Sequence, residues 1–231
     1  MDWLKDLLPT LLKWLIPIII LIGIFLFFIS SFQKNLIFYP QKLPADHQYH
    51  FAFSNRFEEI NFQTAENVSI NALHFKIENA KGLIFYLHGN AGNLDGWGSV
   101  ANDFLPLGYD VLIIDYREYG KSSGSLSEKG LYHDALYIFK QLTKQYDENK
   151  IVIYGRSIGT GIAARLGSLS SPGKLILESP YFNLYDIVKR HYPIAPEFLL
   201  RFKFRTDLHL EKVSCPVIIF HGTDDEIIPF D

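Results

Sequence analysis

The chain has 231 residues, of which 48% are hydrophobic and 20% are charged, and its formal net charge is −3. This apolar, nearly neutral composition excludes disorder over the full length. It also argues against a nucleic-acid-binding protein, which usually carries a strongly basic face. The single cysteine, Cys215, excludes a disulfide-stapled secreted module and a cysteine-rich zinc site. The length fits one domain of ordinary size with an appendage.

The appendage is an apolar segment near the N-terminus, where 20 uncharged residues separate Lys13 from Lys34. A helix of that length spans about 30 Å, the thickness of the hydrocarbon core of a bilayer. A cleaved signal peptide is the alternative, but its apolar region is normally shorter and ends at an Ala-x-Ala-like site. We therefore predict an uncleaved single-pass membrane anchor at 1–34 and a soluble domain at 35–231. Lysines flank the span on both sides, so the side of the membrane that holds the domain stays open.

Short apolar segments predict the strands of the soluble domain. Residues 57–62 and 69–77 alternate apolar and polar side chains, which predicts an antiparallel strand pair. Five continuous apolar runs follow, and each is typical of a strand buried on both faces of a sheet. These runs are 83–87, 111–114, 151–154, 175–177 and 217–220.

Helical patterns lie between the apolar runs. Apolar residues recur at helical spacing from Leu131 to Tyr146, and Ser125 and Glu128 ahead of them form a capping-box pattern. Strands and helices that alternate in this way predict an α/β fold, a mostly parallel sheet with helices on both faces. Ligands of such sheets bind beyond the carboxyl ends of the strands, so the residues that follow each run are the candidates for function.

The run at 151–154 is followed by Gly155-Arg156-Ser157-Ile158-Gly159, a G-x-S-x-G pattern between a predicted strand and a predicted helix. In such a turn the serine takes a strained backbone conformation, and small residues on both sides avoid collisions. The turn exposes the hydroxyl and places the next N–H, that of Ile158, at a positive helix N-terminus. The pattern predicts that Ser157 is a nucleophile. The alternative is a serine that only caps the helix.

The run at 83–87 is followed by His88-Gly89-Asn90-Ala91-Gly92-Asn93. A His-Gly turn at this position typically carries a backbone N–H of an oxyanion hole. We assign that N–H to Asn90, with Ala91 as the alternative, and the second one to Ile158. A glycine-rich loop without any catalytic donor is the other interpretation. A phosphate-binding P-loop is excluded because its G-x-x-x-x-G-K-[ST] pattern is absent from the sequence.

The run at 217–220 is followed by His221 and by three consecutive acidic residues, Asp224, Asp225 and Glu226. A carboxylate at this strand end is well placed to orient a histidine. Consecutive carboxylates point in different directions and chelate a metal ion poorly. We therefore expect no metal site and no cofactor.

Six motifs in this order resemble the α/β-hydrolase superfamily, and most closely its small, membrane-anchored, single-domain serine hydrolases. The resemblance covers about residues 36–231. It rests on LIFYP at 36–40, HGNAGN at 88–93, DYREYGKSSG at 115–124, GRSIG at 155–159, LESPY at 177–181 and HGTDDEIIP at 221–229. Glu118 departs from the family, whose members usually have glycine there.

The resemblance implies a serine hydrolase of the α/β-hydrolase type that acts on ester or thioester bonds of small or lipid acyl substrates. Ser157 would be the nucleophile, Asp225 the acid of the triad, and the amides of Asn90 and Ile158 the oxyanion donors. The serine would attack an acyl carbonyl, and water would hydrolyse the resulting acyl-enzyme.

The family histidine follows the acid by roughly 25–35 residues, whereas this sequence ends six residues after Asp225. We therefore expect that the last strand, its helix and the catalytic histidine are missing, and that the 231 residues represent a truncated form of an active hydrolase. His191 is the one substitute base that we consider. A non-catalytic membrane-anchored binding protein on the same scaffold, or a decayed gene product, is the alternative.

The insertion at 181–210 lies between the sixth and seventh predicted strands and is short, so any cap over the site is small. It mixes basic and aromatic residues: Lys189, Arg190, Phe198, Arg201, Phe202, Lys203, Phe204 and Arg205. We interpret it as a solvated face with its aromatic rings turned into the core. The alternative is a surface that rests on anionic headgroups and admits acyl chains.

Overall fold

Seven strands form one sheet in the structure, a computed structural model that describes residues 3–53 and 56–230, with side chains from Lys13 onward. The strands are β1 (Phe57–Ala65), β2 (Val68–Phe75), β3 (Leu83–Leu87), β4 (Asp110–Ile114), β5 (Ile151–Arg156), β6 (Lys174–Glu178) and β7 (Val217–Phe220). Their order across the sheet is β1-β2-β4-β3-β5-β6-β7. β2 is antiparallel to both β1 and β4, and the other neighbours are parallel. The predicted antiparallel pair and the mostly parallel sheet are confirmed.

Seven α-helices accompany the sheet within the described residues. They are α1 (Trp3–Ile37), α2 (Leu94–Trp97), α3 (Ala101–Phe104), α4 (Glu128–Leu142), α5 (Ile158–Gly167), α6 (Leu184–His191) and α7 (Thr206–Leu210). The cap of α4 is Ser127, whose hydroxyl accepts a hydrogen bond from the Gly130 N–H at 3.1 Å. The capping box predicted at Ser125 is therefore wrong. With Ser127 as the cap, the third helical residue is Gly130, which has no side chain to complete the box.

Apolar residues pack on both faces of the sheet. Along β4, Leu112 and Ile114 belong to the cluster that holds α4 and α5, whereas Val111 and Ile113 belong to the cluster that holds Leu94 of α2 and Ala101 of α3. Successive side chains of a strand point to opposite faces, so one strand supplies both clusters. The prediction of helices on both faces is confirmed.

The last strand, β7, departs from the prediction of burial on both faces. Its four side chains, from Val217 to Phe220, are 36–55% exposed. Among the described residues β7 pairs with β6 alone, so one of its edges and parts of its faces are uncovered. An apolar run by itself does not distinguish a central strand from such an edge strand.

The first helix continues past the apolar run and ends at Ile37. Its segment Lys13–Ile37 is the one described helix that is long and apolar enough to cross a membrane. The end of the helix is attached to the domain by side chains. Lys34 forms an ion pair with Glu118, with its Nζ 2.9 Å from one carboxylate oxygen, and Asn90 donates a hydrogen bond to the Ile37 carbonyl at 3.0 Å.

Gln33 and Phe38 attach the same helix end to the insertion at 181–210. The Gln33 side chain donates to the Leu199 carbonyl at 2.6 Å and accepts from the Arg201 N–H at 2.9 Å. The Phe38 ring packs against Phe202 and Phe204 with centroid distances of 5.0 and 6.2 Å. The helix therefore joins the domain through fixed contacts at residues 33–38.

Candidate active site

Ser157 lies at the sharp turn between β5 and α5, with φ 51° and ψ −120°. Residues other than glycine rarely adopt a positive φ, so this backbone is strained, as predicted for a G-x-S-x-G turn. Hydrogen bonds hold both sides of the turn. The Ser157 N–H donates to the Glu178 carbonyl at 2.9 Å, and the Ser157 carbonyl accepts from the N–H and hydroxyl of Thr160. The strain is thus maintained by the neighbouring strand and helix.

The two glycines of the motif allow the turn to pack tightly. A Cβ on Gly155 would lie 2.7 Å from the Ala163 Cβ, and one on Gly159 would lie 2.1 Å from the Leu87 carbonyl oxygen. Real Cβ atoms do not approach other atoms this closely. Glycine at position 155 therefore allows α5 to pack closely on β5, and glycine at position 159 allows it to pack on the end of β3.

The loop after β3 lies beside Ser157. Leu87 at the end of β3 pairs with Gly155 of β5, so Asn90 and Ile158 each follow that paired position by three residues. The Asn90 carbonyl accepts from the Tyr39 N–H at 2.9 Å and from the Tyr119 hydroxyl at 2.6 Å. Within the part of the chain that the structure describes, no group accepts a hydrogen bond from the Asn90 or Ile158 amide. Both amides are therefore available for the predicted oxyanion role.

Sequence reasoning missed the residues that hold this loop. Residues Tyr39–Pro40 form a short parallel strand pair with Ala91–Gly92, and Tyr119 reaches the Asn90 carbonyl from the loop after β4. The signal was present, because both tyrosines belong to motifs that carry the family resemblance. The sequence alone does not assign the two tyrosines a role, since only the folded chain brings residues 39, 90 and 119 together.

Glu118, the departure from the motif that carries the resemblance, has a φ of 68°, which lies in the left-handed region that favours glycine. Its carboxylate accepts hydrogen bonds from the Lys34 ammonium and from the Leu126 N–H at 2.9 Å. Burial raises the pKa of this carboxyl, but the Leu126 amide and the Lys34 charge outweigh it and lower the pKa overall. The departure thus ties the end of α1 to the loop that also carries Tyr119.

Asp225 lies on the turn after β7. Ser157 and Asp225 therefore both follow the carboxyl ends of parallel strands of the sheet. Register aligns Arg156, Glu178 and Phe220 at the ends of β5, β6 and β7. The segments that follow β5 and β7 therefore leave the sheet two strands apart, a separation of about 10 Å. Ser157 and Asp225 therefore follow the same ends of two parallel strands that have one strand between them.

Backbone amides hold the Asp225 carboxylate. One oxygen accepts from the Ile227 and Ile228 N–H groups at 3.0 and 2.9 Å. The Ile228 hydrogen bond is the largest cause that lowers the pKa of Asp225, burial opposes it, and Ile227, Ser179 and His221 add to the lowering. Asp225 is therefore ionised at neutral pH, as a carboxylate that orients an imidazole must be.

Four of the described histidines have hydrogen-bond partners other than Ser157. The recorded partners are Asp95 for His47, Tyr146 for His74, the Gly89 carbonyl for His88 and the Ile228 carbonyl for His221. His191 is exposed at the end of α6. His209 packs against Tyr132, and burial, together with Arg165, lowers its pKa to about 4. Among the described residues no histidine is hydrogen-bonded to the Ser157 hydroxyl.

A cavity of about 340 Å³ opens beside the turn. The Arg156 guanidinium on its wall lies 5.5 Å from the centre of the Trp97 ring and 3.1 Å from a Glu178 oxygen. Gln41, Asn93 and Ser99 complete the polar part of the wall. The cavity therefore offers a polar recess next to the residue that precedes Ser157.

The Asp225 carboxylate is expected to stabilise the fold in a pH-dependent way. Because its pKa is lowered in the folded state, the stabilisation is present above the usual value of 3.8 and is lost as the pH falls through the lowered pKa. In detergent solution the wild type should have a higher urea midpoint than Asp225→Asn above about pH 5, and the difference should shrink as the pH falls below 3.8. A difference that does not change with pH would contradict this account.

Comparison with known proteins agrees with the fold and with the motifs. A profile described as the alpha/beta hydrolase fold matches residues 82–180. The esterase Pf2001 of Pyrococcus furiosus superimposes with a TM-score of 0.62 at 21% identity, over 84% of this chain and 79% of that one. At that identity the likeness concerns the fold alone.

Two relatives carry the same name. The "Lysophosphatidylserine lipase ABHD12" of Rattus norvegicus is 36% identical over an alignment of 169 positions, gaps included, that covers 64% of this chain and 42% of that protein. The protein of that name from Danio rerio is 30% identical over an alignment of 268 positions, gaps included, that covers 96% of this chain and 70% of that protein. The chain thus spans less than half the length of the rat protein. Together with the strand order and the strained serine turn, these similarities establish that the chain belongs to the α/β-hydrolase family.

Proposed function

We propose that this protein is a membrane-anchored serine hydrolase that cleaves carboxylic ester or thioester bonds of lipid acyl substrates. The observation that carries the proposal is the strained turn at Ser157, which follows β5, beside the strand that leads to Asn90. The amides of Asn90 and Ile158 have no acceptor within the described residues, which supports their role as oxyanion donors. Asp225 lies just after β7, at the carboxyl ends of the parallel strands, where Ser157 also lies. It is ionised and accepts hydrogen bonds from backbone amides. Strain of this kind is characteristic of functional sites, because only the surrounding structure keeps it in place.

In the proposed reaction the Ser157 Oγ attacks the acyl carbonyl carbon, and its proton passes to a histidine that Asp225 orients. Among the described residues, the His221 Nε2 lies 3.7 Å from an Asp225 oxygen but is hydrogen-bonded to the Ile228 carbonyl, and no histidine is hydrogen-bonded to the Ser157 hydroxyl. The carbonyl oxygen becomes an oxyanion that accepts hydrogen bonds from the Asn90 and Ile158 amides. When the oxyanion collapses, the alcohol or thiol leaves with the proton and the acyl group stays on Ser157. Water then hydrolyses this acyl-enzyme and releases a carboxylic acid.

We further propose that the substrate is a lysophospholipid or a similar single-chain lipid ester. The relatives' name supports a lipid ester with a charged head, and the recess beside Arg156 offers polar and aromatic groups for a head group. The helix from Lys13 to Ile37 would place the enzyme at the membrane that holds such lipids. We propose that residues 1–34 form the anchor and that the hydrolase domain follows from residue 35.

The test is covalent labelling of the full-length protein, isolated from its native source, with a fluorophosphonate. Such probes react with activated serine nucleophiles, so the label should appear on the peptide that contains Ser157. The same sample should release fatty acid from a lysophospholipid dispersed in detergent. Absence of the label from Ser157 in a folded sample would overturn the proposal.

Lipid binding without turnover is the second candidate, and it is favoured by the lack of a histidine at Ser157 among the described residues. Without a base, serine is a weak nucleophile, whereas the recess and the fold remain able to bind a ligand. A sample that binds a lysophospholipid, releases no fatty acid and takes up no label would support this function in place of hydrolysis.

A further inference from the structure

We propose that a loop of the insertion, residues 192–198, is a second membrane contact beside α1; we name it the cap tip. This inference rests on the proposal that α1 spans a membrane. It goes further, because it assigns a bilayer-facing surface to the hydrolase domain itself.

The cap tip exposes three large apolar side chains. Tyr192, Ile194 and Phe198 are 68%, 95% and 76% exposed. In the same insertion Phe202 and Phe204 are 4% and 0% exposed, because they pack against Phe38 and the core. The prediction that the aromatic rings of the insertion point into the core is therefore confirmed for Phe202 and Phe204 and is wrong for Phe198. Three large apolar side chains presented by seven residues form a surface that usually has a partner.

The position of the cap tip identifies the partner as the bilayer. Gln33 is the last of the 20 uncharged residues and lies at the depth where the charged Lys34 leaves the hydrocarbon core. The Gln33 side chain is bound to the carbonyl of Leu199 and the N–H of Arg201. Phe198 is adjacent to Leu199, so the cap tip is fixed beside the end of the span. A bilayer crossed by α1 would therefore meet these side chains.

The charges around the cap tip also fit a lipid surface. Lys189, Arg201 and Lys203 are exposed next to it, while Glu197 is the one acidic residue inside it. Apolar side chains flanked by basic residues favour an interface with anionic headgroups, because burial and electrostatic attraction then act together. Since the Asn90 side chain is bound to Ile37 at the same helix end, this contact would place the candidate site close to the membrane.

The experiment measures whether position 194 contacts lipid. The full chain, with Cys215→Ser and Ile194→Cys, is labelled with the fluorophore NBD and reconstituted into phosphatidylcholine–phosphatidylserine vesicles that contain doxyl-labelled lipids. Because Ile194 is 95% exposed, the substitution leaves the fold intact. We expect a blue-shifted emission that the doxyl lipids quench. The matched control is Leu107→Cys. Leu107 is 58% exposed and precedes β4, so it lies at the amino ends of the parallel strands, opposite the candidate site. The emission of a label at position 107 should not be quenched.

A third label, at Phe25→Cys near the middle of the uncharged run between Lys13 and Lys34, separates this inference from the proposed anchor. Quenching at 25 and at 194 supports both. Quenching at 25 without quenching at 194 overturns the cap-tip contact and leaves the anchor in place, whereas quenching at neither position overturns both. A label at 194 that is shielded from aqueous iodide but not quenched by doxyl lipids points to a protein partner and also overturns the inference.

Discussion

Replacing Ser157 with alanine is expected to abolish fluorophosphonate labelling and to lower lysophospholipid hydrolysis by the active full-length protein about 10⁴–10⁶-fold. The reason is chemical, because Ser157 carries the only hydroxyl of the strained turn from Gly155 to Gly159. Alanine keeps the backbone of the turn and removes only the attacking oxygen. Fatty-acid release and labelling, measured on the same preparation, check the prediction.

Ser168→Ala is the matched control for Ser157→Ala. Ser168 lies at the end of α5, and its hydroxyl donates to the Arg165 carbonyl at 2.7 Å, away from the turn. This variant should keep both labelling and hydrolysis. Residual labelling of the Ser157→Ala protein at another serine would show that the nucleophile is assigned to the wrong residue.

Replacing Gly159 with alanine is expected to destabilise the fold by about 3 kcal/mol or more, the upper range for overpacking a closely packed core. The new Cβ would lie 2.1 Å from the Leu87 oxygen and 2.7 Å from the His88 oxygen, and both are backbone atoms. Neither atom can move without pulling β3 away from β5. Loss of the thermal unfolding transition, or a large drop in its midpoint, would measure the effect.

The same substitution should also eliminate labelling at Ser157, because a displaced His88 carries Gly89 and Asn90 with it. Gly96→Ala is the control, since a Cβ there has no atom within 4 Å. It adds a methyl group to the short helix α2 and should leave the unfolding midpoint unchanged or slightly raised. If Gly159→Ala unfolded at the wild-type temperature, α5 would not pack on β3 as described.

Local patterns explain why much of the candidate site could be predicted. The G-x-S-x-G turn needs only the residues from Gly155 to Gly159, together with a strand before it and a helix after it. The amides of Asn90 and Ile158 follow from the same logic, because each lies just beyond a strand end. The roles of these residues and of Asp225 stay predictions, and the experiments above address them directly.

The supports of the site could not be predicted, because they join residues that are far apart in the chain. The Tyr119 hydroxyl reaches the Asn90 carbonyl across 29 positions, and Gln33 reaches Leu199 across 166. The periodicity of a sequence does not predict which of its distant polar groups form hydrogen bonds with each other. Such contacts depend on the strand order of the sheet, which the apolar runs leave open.

The sequence by itself determined the apolar helix, the mostly parallel sheet and the serine turn, because each depends on the pattern of neighbouring residues along the chain. The tertiary structure alone decided which apolar residues are covered. It buries Phe202 and Phe204 while it exposes Phe198 and Ile194, and it leaves β7 open although its sequence resembles a central strand. The physical reason is that burial depends on the elements packed against a residue, and these are set only when distant parts of the chain come together.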